Sequence, residues 1–271
     1  MPNERGDWAE VLEALQTASK VRAEQRAALV ERLKKSVLPL HTPNERGRPM
    51  ALASCVLARV GSNFYAFTAG HVLQSEERIW LWTAAAGQLV LLPSQVGYER
   101  DSNGLDLGII PLRRRDLGPF DHCIFLSGAD IAEGDQSANI FEAFNLVVGY
   151  PASRSQAKVS YDERKIHHVL FNLSTSQPPA EAYAREGLAQ DEHLLVEFDH
   201  DGADKSMVPP KLQGLSGGGI FHISRTTYQG PLVAIATEHR RVPRLIVSTR
   251  LKHFTQFARE INGIAPSETF D

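Results

Sequence analysis

Gln213-Gly214-Leu215-Ser216-Gly217-Gly218-Gly219-Ile220 is the stretch on which the fold turns. A serine set among glycines reads in two ways. In one, Gly214-x-Ser216-x-Gly218 is a nucleophile elbow that feeds a helix, with an acid and then a histidine later in the chain. In the other, the glycines make a tight loop that feeds a β-strand. Three consecutive glycines are a poor helix start. The later carboxylates are Glu238, Glu260, Glu268 and Asp271, so a histidine following the acid leaves only Glu238 with His239 or His253. The strand reading is the better one. A phosphate-cradling P-loop is excluded, because no Gly-Lys-Ser/Thr follows the glycines.

Two segments upstream complement this loop. Phe67-Thr68-Ala69-Gly70-His71-Val72-Leu73 runs from an apolar strand through small residues to a histidine, and Gly104-Leu105-Asp106-Leu107-Gly108-Ile109-Ile110 sets an aspartate in an apolar run. Each alone has an ordinary structural explanation. Together they supply a base, an orienting carboxylate and a nucleophile. A serine hydroxyl needs an adjacent base to take its proton, and an imidazole in that role needs a carboxylate to fix its tautomer. Burying the Asp106 charge without a partner would be costly, which points to His71 as the partner. An oxyanion hole needs backbone N–H groups converging beside the nucleophile. Gly214, free of Cβ, suits the sharp turn that would bring its N–H and that of Ser216 together.

Around these segments the apolar pattern is short and β-rich. Ala51–Val60, Phe64–Thr68, Arg78–Trp82, Gln88–Leu92 and Leu105–Leu112 form one set. Phe144–Tyr150, Ile166–Leu173, His193–Phe198, Gly218–Ile223, Pro231–Thr237 and Arg244–Ser248 form another. Strands at this spacing without intervening helices indicate sandwiches or barrels. The polar stretch 174–192 reads as a long surface loop. Residues 7–36 read as a helix with a capping box at Asp7 and Glu10. Trp8, Val11, Leu12, Leu15 and Ala18 form an apolar stripe that drifts through Val21, Ala28, Leu29 and Leu33. Pro39 and Pro43 end that helix, and 40–50 reads as a linker. A second helix, about 249–262, buries Leu251, Phe254, Phe257 and Ile261.

Composition narrows the class. The chain has 271 residues, 42% hydrophobic and 23% charged, with a net charge of −3 and two cysteines, Cys55 and Cys123. That describes a globular protein with no bulk attraction to nucleic acid or to an anionic membrane. A disulfide scaffold and four-cysteine zinc sites are excluded. His167-His168 is the only adjacent histidine pair and has no HExxH or CxxC beside it, so a metal site is not expected. The N-terminal residues lack the apolar core of a secretory signal, and no run is apolar enough to span a bilayer. The expected compartment is the cytoplasm.

TAGH at 68–71, GLDLGIIPL at 104–112 and GLSGGGIF at 214–221 resemble the signature segments of chymotrypsin-like serine peptidases, in the same His, Asp, Ser order. Pro231–Thr237, the terminal helix and Val147-Val148-Gly149-Tyr150-Pro151 are similar to the matching parts of that family. The resemblance covers about 50–262. It implies two antiparallel six-stranded β-barrels closed by the C-terminal helix, with the N-terminal helix of 7–36 lying outside it. The implied division is 1–40 as a helical extension, 41–135 as the first barrel, 136–248 as the second, and 249–271 as the closing helix and tail. It further implies a serine endopeptidase with His71, Asp106 and Ser216 as catalytic residues and Gly214 and Ser216 as oxyanion donors. No metal or cofactor is implied.

The same resemblance places Pro210, Lys211, Thr237, Glu238 and His239 at the substrate pocket. The residue six before the serine is Pro210, so a preference for Arg or Lys is not supported. A small or apolar preference is the default, and Lys211, His239 and Arg240 leave an acidic one open. Leu215 stands where zymogen-type members carry an aspartate. The chain therefore looks like an intracellular bacterial member, acting on a protein or peptide substrate and switched by an activating or docking partner on the N-terminal helix. Two other readings remain open, a catalytically silent binding module on the same fold and a serine esterase on another fold.

Overall fold

A computed structural model of the chain describes residues 4–74, 79–83, 88–92, 97–100, 104–134, 142–152, 170–175, 177–197, 214–240 and 244–262; of 4–16, 88, 98–100, 116 and 172–174 it describes the backbone alone. The expectations for Pro210, Lys211 and His167-His168, and for the side chains of the Trp8–Leu15 stripe, lie outside the described residues.

The architecture is mostly β. Helix α1 (Glu4–Ser36) leads into β1 (Val37–Pro43), β2 (Pro49–Val60), β3 (Asn63–Thr68), the short helix α2 (Gly70–Gln74), β4 (Trp80–Thr83), β5 (Gln88–Leu91), β6 (Gly97–Arg100) and β7 (Asp106–Leu112). After an irregular crossing follow β8 (Ala143–Gly149), β9 (Phe171–Thr175), helix α3 (Ala180–Glu186), β10 (His193–Glu197), β11 (Gly219–Ser224), β12 (Leu232–Arg240), β13 (Leu245–Arg250) and helix α4 (Leu251–Ile261). The first sheet has the order β5-β4-β1-β2-β3-β7-β6, the second β10-β13-β12-β11-β8-β9. The assigned pairs within both sheets are antiparallel.

Two closed six-stranded barrels are therefore not what forms. The first sheet has seven strands, and among the described residues neither sheet pairs its two end strands. The reason is clearest at β10. Its outer edge is met by α3, where the Leu195 N–H donates to Tyr183 Oη at 3.0 Å. A hydroxyl thus satisfies an edge group that barrel closure would have paired with a strand.

The strands sort their side chains by period two. In β2, Ala53, Cys55 and Leu57 face the interior of the first sheet with Leu38, Ala66, Leu81 and Ile110. Val56, Ala58 and Val60 face the opposite way, into a layer shared with Leu146, Val148, Phe221 and Ile223 of the second sheet and with Leu251 and Phe254 of α4. The second sheet has its own interior around Val147, Ile220, Ala234 and Ile246. β2 is thus buried on both faces, which is why its run is nearly continuous rather than alternating.

Three expectations need correction. The supposed linker 40–50 begins with a strand, since β1 pairs with β2 from Val37 to Pro43. The polar stretch 174–192 contains α3, whose Ala182 and Tyr183 are buried against Leu195, Leu245 and Val247. In α1 the expected stripe is only partly used. Leu29 and Leu33 are buried, whereas Val21 and Ala28 are exposed. The helix packs by its last turns, where Arg32 also pairs with Asp130. No helix among the described residues is long and apolar enough to cross a membrane.

Candidate active site

β3 delivers its chain end through Ala69 into α2, which carries His71 one residue past its start. β7 begins at Asp106 and pairs with β3, Gly108 lying opposite Thr68. A Cβ on Gly108 would fall 2.7 Å from the Ala69 carbonyl oxygen, so the absence of a side chain there lets β7 approach the turn that leads to His71. This brings Asp106 under the histidine. The ring Nδ1–H donates to Asp106 Oδ2 at 2.5 Å and the His71 backbone N–H donates to Oδ1 at 2.8 Å. A carboxylate only accepts, so Nδ1 carries the proton and Nε2 of the neutral ring keeps its lone pair. Asp106 is buried, and its own N–H donates to Thr249 Oγ1 of the second sheet at 3.4 Å.

Ser216 comes from the second sheet. Its loop precedes β11, not a helix, and that rules out the elbow reading. Gly214 and Gly217 have φ of +92° and +82°, the left-handed region that favours glycine. A Cβ on Gly217 would lie 1.9 Å from the Ser54 carbonyl oxygen and 2.2 Å from Thr68 Oγ1. The serine loop therefore sits directly on β2 and on the end of β3, three residues before His71. The Ser54 N–H donates to the Ser216 carbonyl at 2.8 Å, and Gly217 N–H donates to the Ala236 carbonyl at 2.7 Å.

The serine hydroxyl itself donates to the Thr237 carbonyl at 3.3 Å. Among the described residues no hydrogen bond joins it to His71, so the expected Ser–His contact is not formed here. Nor do the N–H groups of Gly214 and Ser216 donate to another described residue. Thr237 is the extra residue of a β-bulge, since Ala236 pairs with Ser248 and Glu238 with Val247. The bulge turns the Thr237 carbonyl toward the serine, while its Oγ1 donates to the Val247 carbonyl at 3.1 Å.

Beyond the bulge, Glu238 is exposed and His239 half-buried. Arg240, a residue that left an acidic preference open, is held by two carboxylates. It reaches Glu186 Oε2 at 2.7 Å and Glu238 at 3.3 Å. The Arg240 hydrogen bond in turn holds the Glu186 carboxyl below its ordinary range. A guanidinium so neutralised offers little to an acidic substrate side chain. The two cysteines are unpaired. Burial pushes the Cys123 thiol up to about 11, and Cys55 higher still, so neither is a ready thiolate. No group of three or more His, Cys, Asp or Glu among the described residues is placed to hold a metal ion.

No family model matches the chain, and no curated protein matches its sequence. Among solved structures it is similar to the serine endoprotease from Yersinia pestis, at 15% identity and a TM-score of 0.50, over 86% of this chain. The fold is chymotrypsin-like. The chain spans 65% of that protein's length, less than two thirds.

Of the expected site residues, His71, Asp106, Gly214, Ser216 and Thr237 lie where the two sheets meet. The sequence motifs gave no sign of Ser54, and they carried Thr68 in the histidine segment without a role of its own. A serine inside the apolar run Leu52-Ala53-Ser54-Cys55-Val56 was the one available signal.

Proposed function

We propose that the protein is a serine endopeptidase, with His71 as base, Asp106 as its orienting carboxylate and Ser216 as nucleophile. The observation that carries this reading is the double engagement of Asp106 by His71 beside a serine loop built on two left-handed glycines. The chymotrypsin-like fold supports it without assigning the chemistry.

The reaction follows from these groups. Ser216 Oγ leaves the Thr237 carbonyl and turns to His71 Nε2, which takes its proton as Oγ attacks the scissile carbonyl carbon. The N–H groups of Gly214 and Ser216 hold the oxyanion of the tetrahedral intermediate. Collapse expels the amine, which receives the proton from His71, and leaves an acyl-enzyme. Water, deprotonated by His71, then releases the acid and restores Ser216. With Arg240 neutralised, the side chain before the cleaved bond is small or apolar. Thr237, Glu238 and His239 line that pocket, and the family resemblance assigns Pro210 and Lys211 to it as well. The substrate is an intracellular protein, and a partner acting through α1 controls access to it.

A second reading has one observation in its favour. The Ser216 hydroxyl is held by the Thr237 carbonyl and not by His71, so the serine is not engaged with its base, which fits a catalytically silent binding module on this fold. A fluorophosphonate separates the two. Covalent labelling of the wild type but not of Ser216→Ala is expected, and no labelling of the wild type would leave the binding module.

A further inference from the structure

We infer that Ser54 is a positioning residue that sets the oxyanion loop of the second sheet against the histidine–aspartate pair of the first; this rests on the peptidase reading above. Ser54 lies in β2 and is fully buried within an otherwise apolar run. A buried hydroxyl there needs partners, and those it has belong to the serine loop and the strand beside it. Ser54 Oγ donates to the Gly214 carbonyl at 3.0 Å and accepts from the Tyr150 N–H at 2.8 Å. Its backbone N–H holds the Ser216 carbonyl at 2.8 Å. Its own carbonyl accepts from Thr68 Oγ1 at 2.8 Å, three residues before His71.

One residue therefore holds the carbonyls of both proposed oxyanion residues. Fixing the Gly214 carbonyl fixes the peptide plane between Gly214 and Leu215. That plane lies between the two peptides that carry the Gly214 and Ser216 N–H groups, and it could otherwise swing about the Gly214 Cα–C bond, because glycine has no Cβ to hinder it. Tyr150 N–H closes the arrangement by keeping the hydroxyl proton aimed at Gly214. There is no space for a substitute group, since a Cβ on Gly149 would already be 2.9 Å from Ser54 Oγ.

The geometry at β1 explains how Ser54 is available. Its register partner is Pro39, which has no N–H. The Ser54 N–H and carbonyl point the other way, and β3 stops pairing with β2 at Val56 opposite Phe67. The serine loop occupies that open edge.

The test compares Ser54→Ala with Cys55→Ala. Cys55 is the next residue and faces the interior of the first sheet, so its truncation measures a merely structural loss. Ser54→Ala is expected to lower kcat on a peptide substrate, and the rate of fluorophosphonate labelling, by about ten- to a hundredfold, with KM changed less than about threefold. That is below the roughly 10²–10³ lost when an oxyanion donor is removed outright. Cys55→Ala should lower the melting temperature and leave kcat in place. Unchanged kcat in Ser54→Ala, or an equal fall in Cys55→Ala, would overturn the assignment. Should the wild type take no label, the peptidase reading fails, and the crystal structure of Ser54→Ala then decides Ser54 alone. A turned or doubled Gly214 peptide supports the role, and an unmoved one overturns it.

Discussion

Asp106 spends both carboxylate oxygens on one residue, Oδ2 on the His71 ring and Oδ1 on the His71 backbone N–H. The ring is thereby fixed in both tautomer and tilt. An amide at this position would offer an N–H where an acceptor is needed. Asp106→Asn should therefore keep the fold and lower kcat by about 10⁴. Ser216→Ala and His71→Ala should each remove several orders of magnitude, and the double variant little more than either. Steady-state hydrolysis of a peptide library supplies the measurement. Full activity in Asp106→Asn would remove the aspartate from the mechanism.

The two left-handed glycines should differ in their tolerance. At Gly214 a Cβ meets the Ala152 backbone nitrogen at 2.6 Å, while at Gly217 it meets the Ser54 carbonyl oxygen at 1.9 Å. The second clash pits one sheet against the other and leaves neither backbone room to yield. Gly217→Ala should lower the melting temperature more than Gly214→Ala does. Gly214→Val should impair turnover well before it unfolds the chain. The reverse order of stability would show that the sheets adjust at Gly217.

Acid should weaken the fold through His41. This side chain is buried in β1, and burial lowers its pKa from 6.5 to about 4. Between those values the unfolded chain binds a proton that the folded chain refuses, so stability falls as pH drops from 6.5 toward 4. The span corresponds to about 3 kcal/mol at most. Chemical denaturation at several pH values should show a shallower acid slope in His41→Gln than in the wild type. Parallel slopes would mean that the histidine is protonated without cost.

Tyr183→Phe isolates the device that ends the second sheet. It removes the oxygen that accepts from the Leu195 N–H and from Gln177 Nε2. A buried edge N–H left unmet costs about 1–3 kcal/mol. The loss should appear as faster hydrogen exchange at Leu195, with peptide turnover retained.

α1 should divide at its anchored end. Leu33→Ala, at a buried position, should cost about 2–5 kcal/mol. Removal of residues 1–24, which spares Leu29 and Leu33, should leave the melting temperature and peptide turnover unchanged. If a partner acts through this helix, the shortened protein should no longer bind it. Loss of stability in that truncation would place the outer turns in the fold itself.

The strands and the chemistry-bearing loops could be read from the sequence because their signals are local. The glycines around Ser216 mark a sharp turn, although only Gly214 and Gly217 of them adopt positive φ, and the β-rich runs carry the period of a buried sheet. What was missed depends on partners far along the chain. Val37–Pro43 resembled a helix stop because Pro39 and Pro43 suggest a break. Yet Pro39 faces Ser54, whose N–H is turned to Ser216, so no ladder bond is lost. α3 was hidden by its polar surroundings, although Pro179 before it and Gly187 after it, at φ +69°, mark a helix start and stop. The resting place of the Ser216 hydroxyl depends on a bulge at Thr237, which no local pattern announces.

The double burial of β2 also governs how the molecule comes apart. Each face of this strand belongs to a different apolar cluster, and one of those clusters contains residues of both sheets and both terminal helices. Neither sheet can melt without stripping a face from the other's supporting layer. The two halves should open as a single cooperative unit, and the β2 amides should be among the last to exchange with solvent.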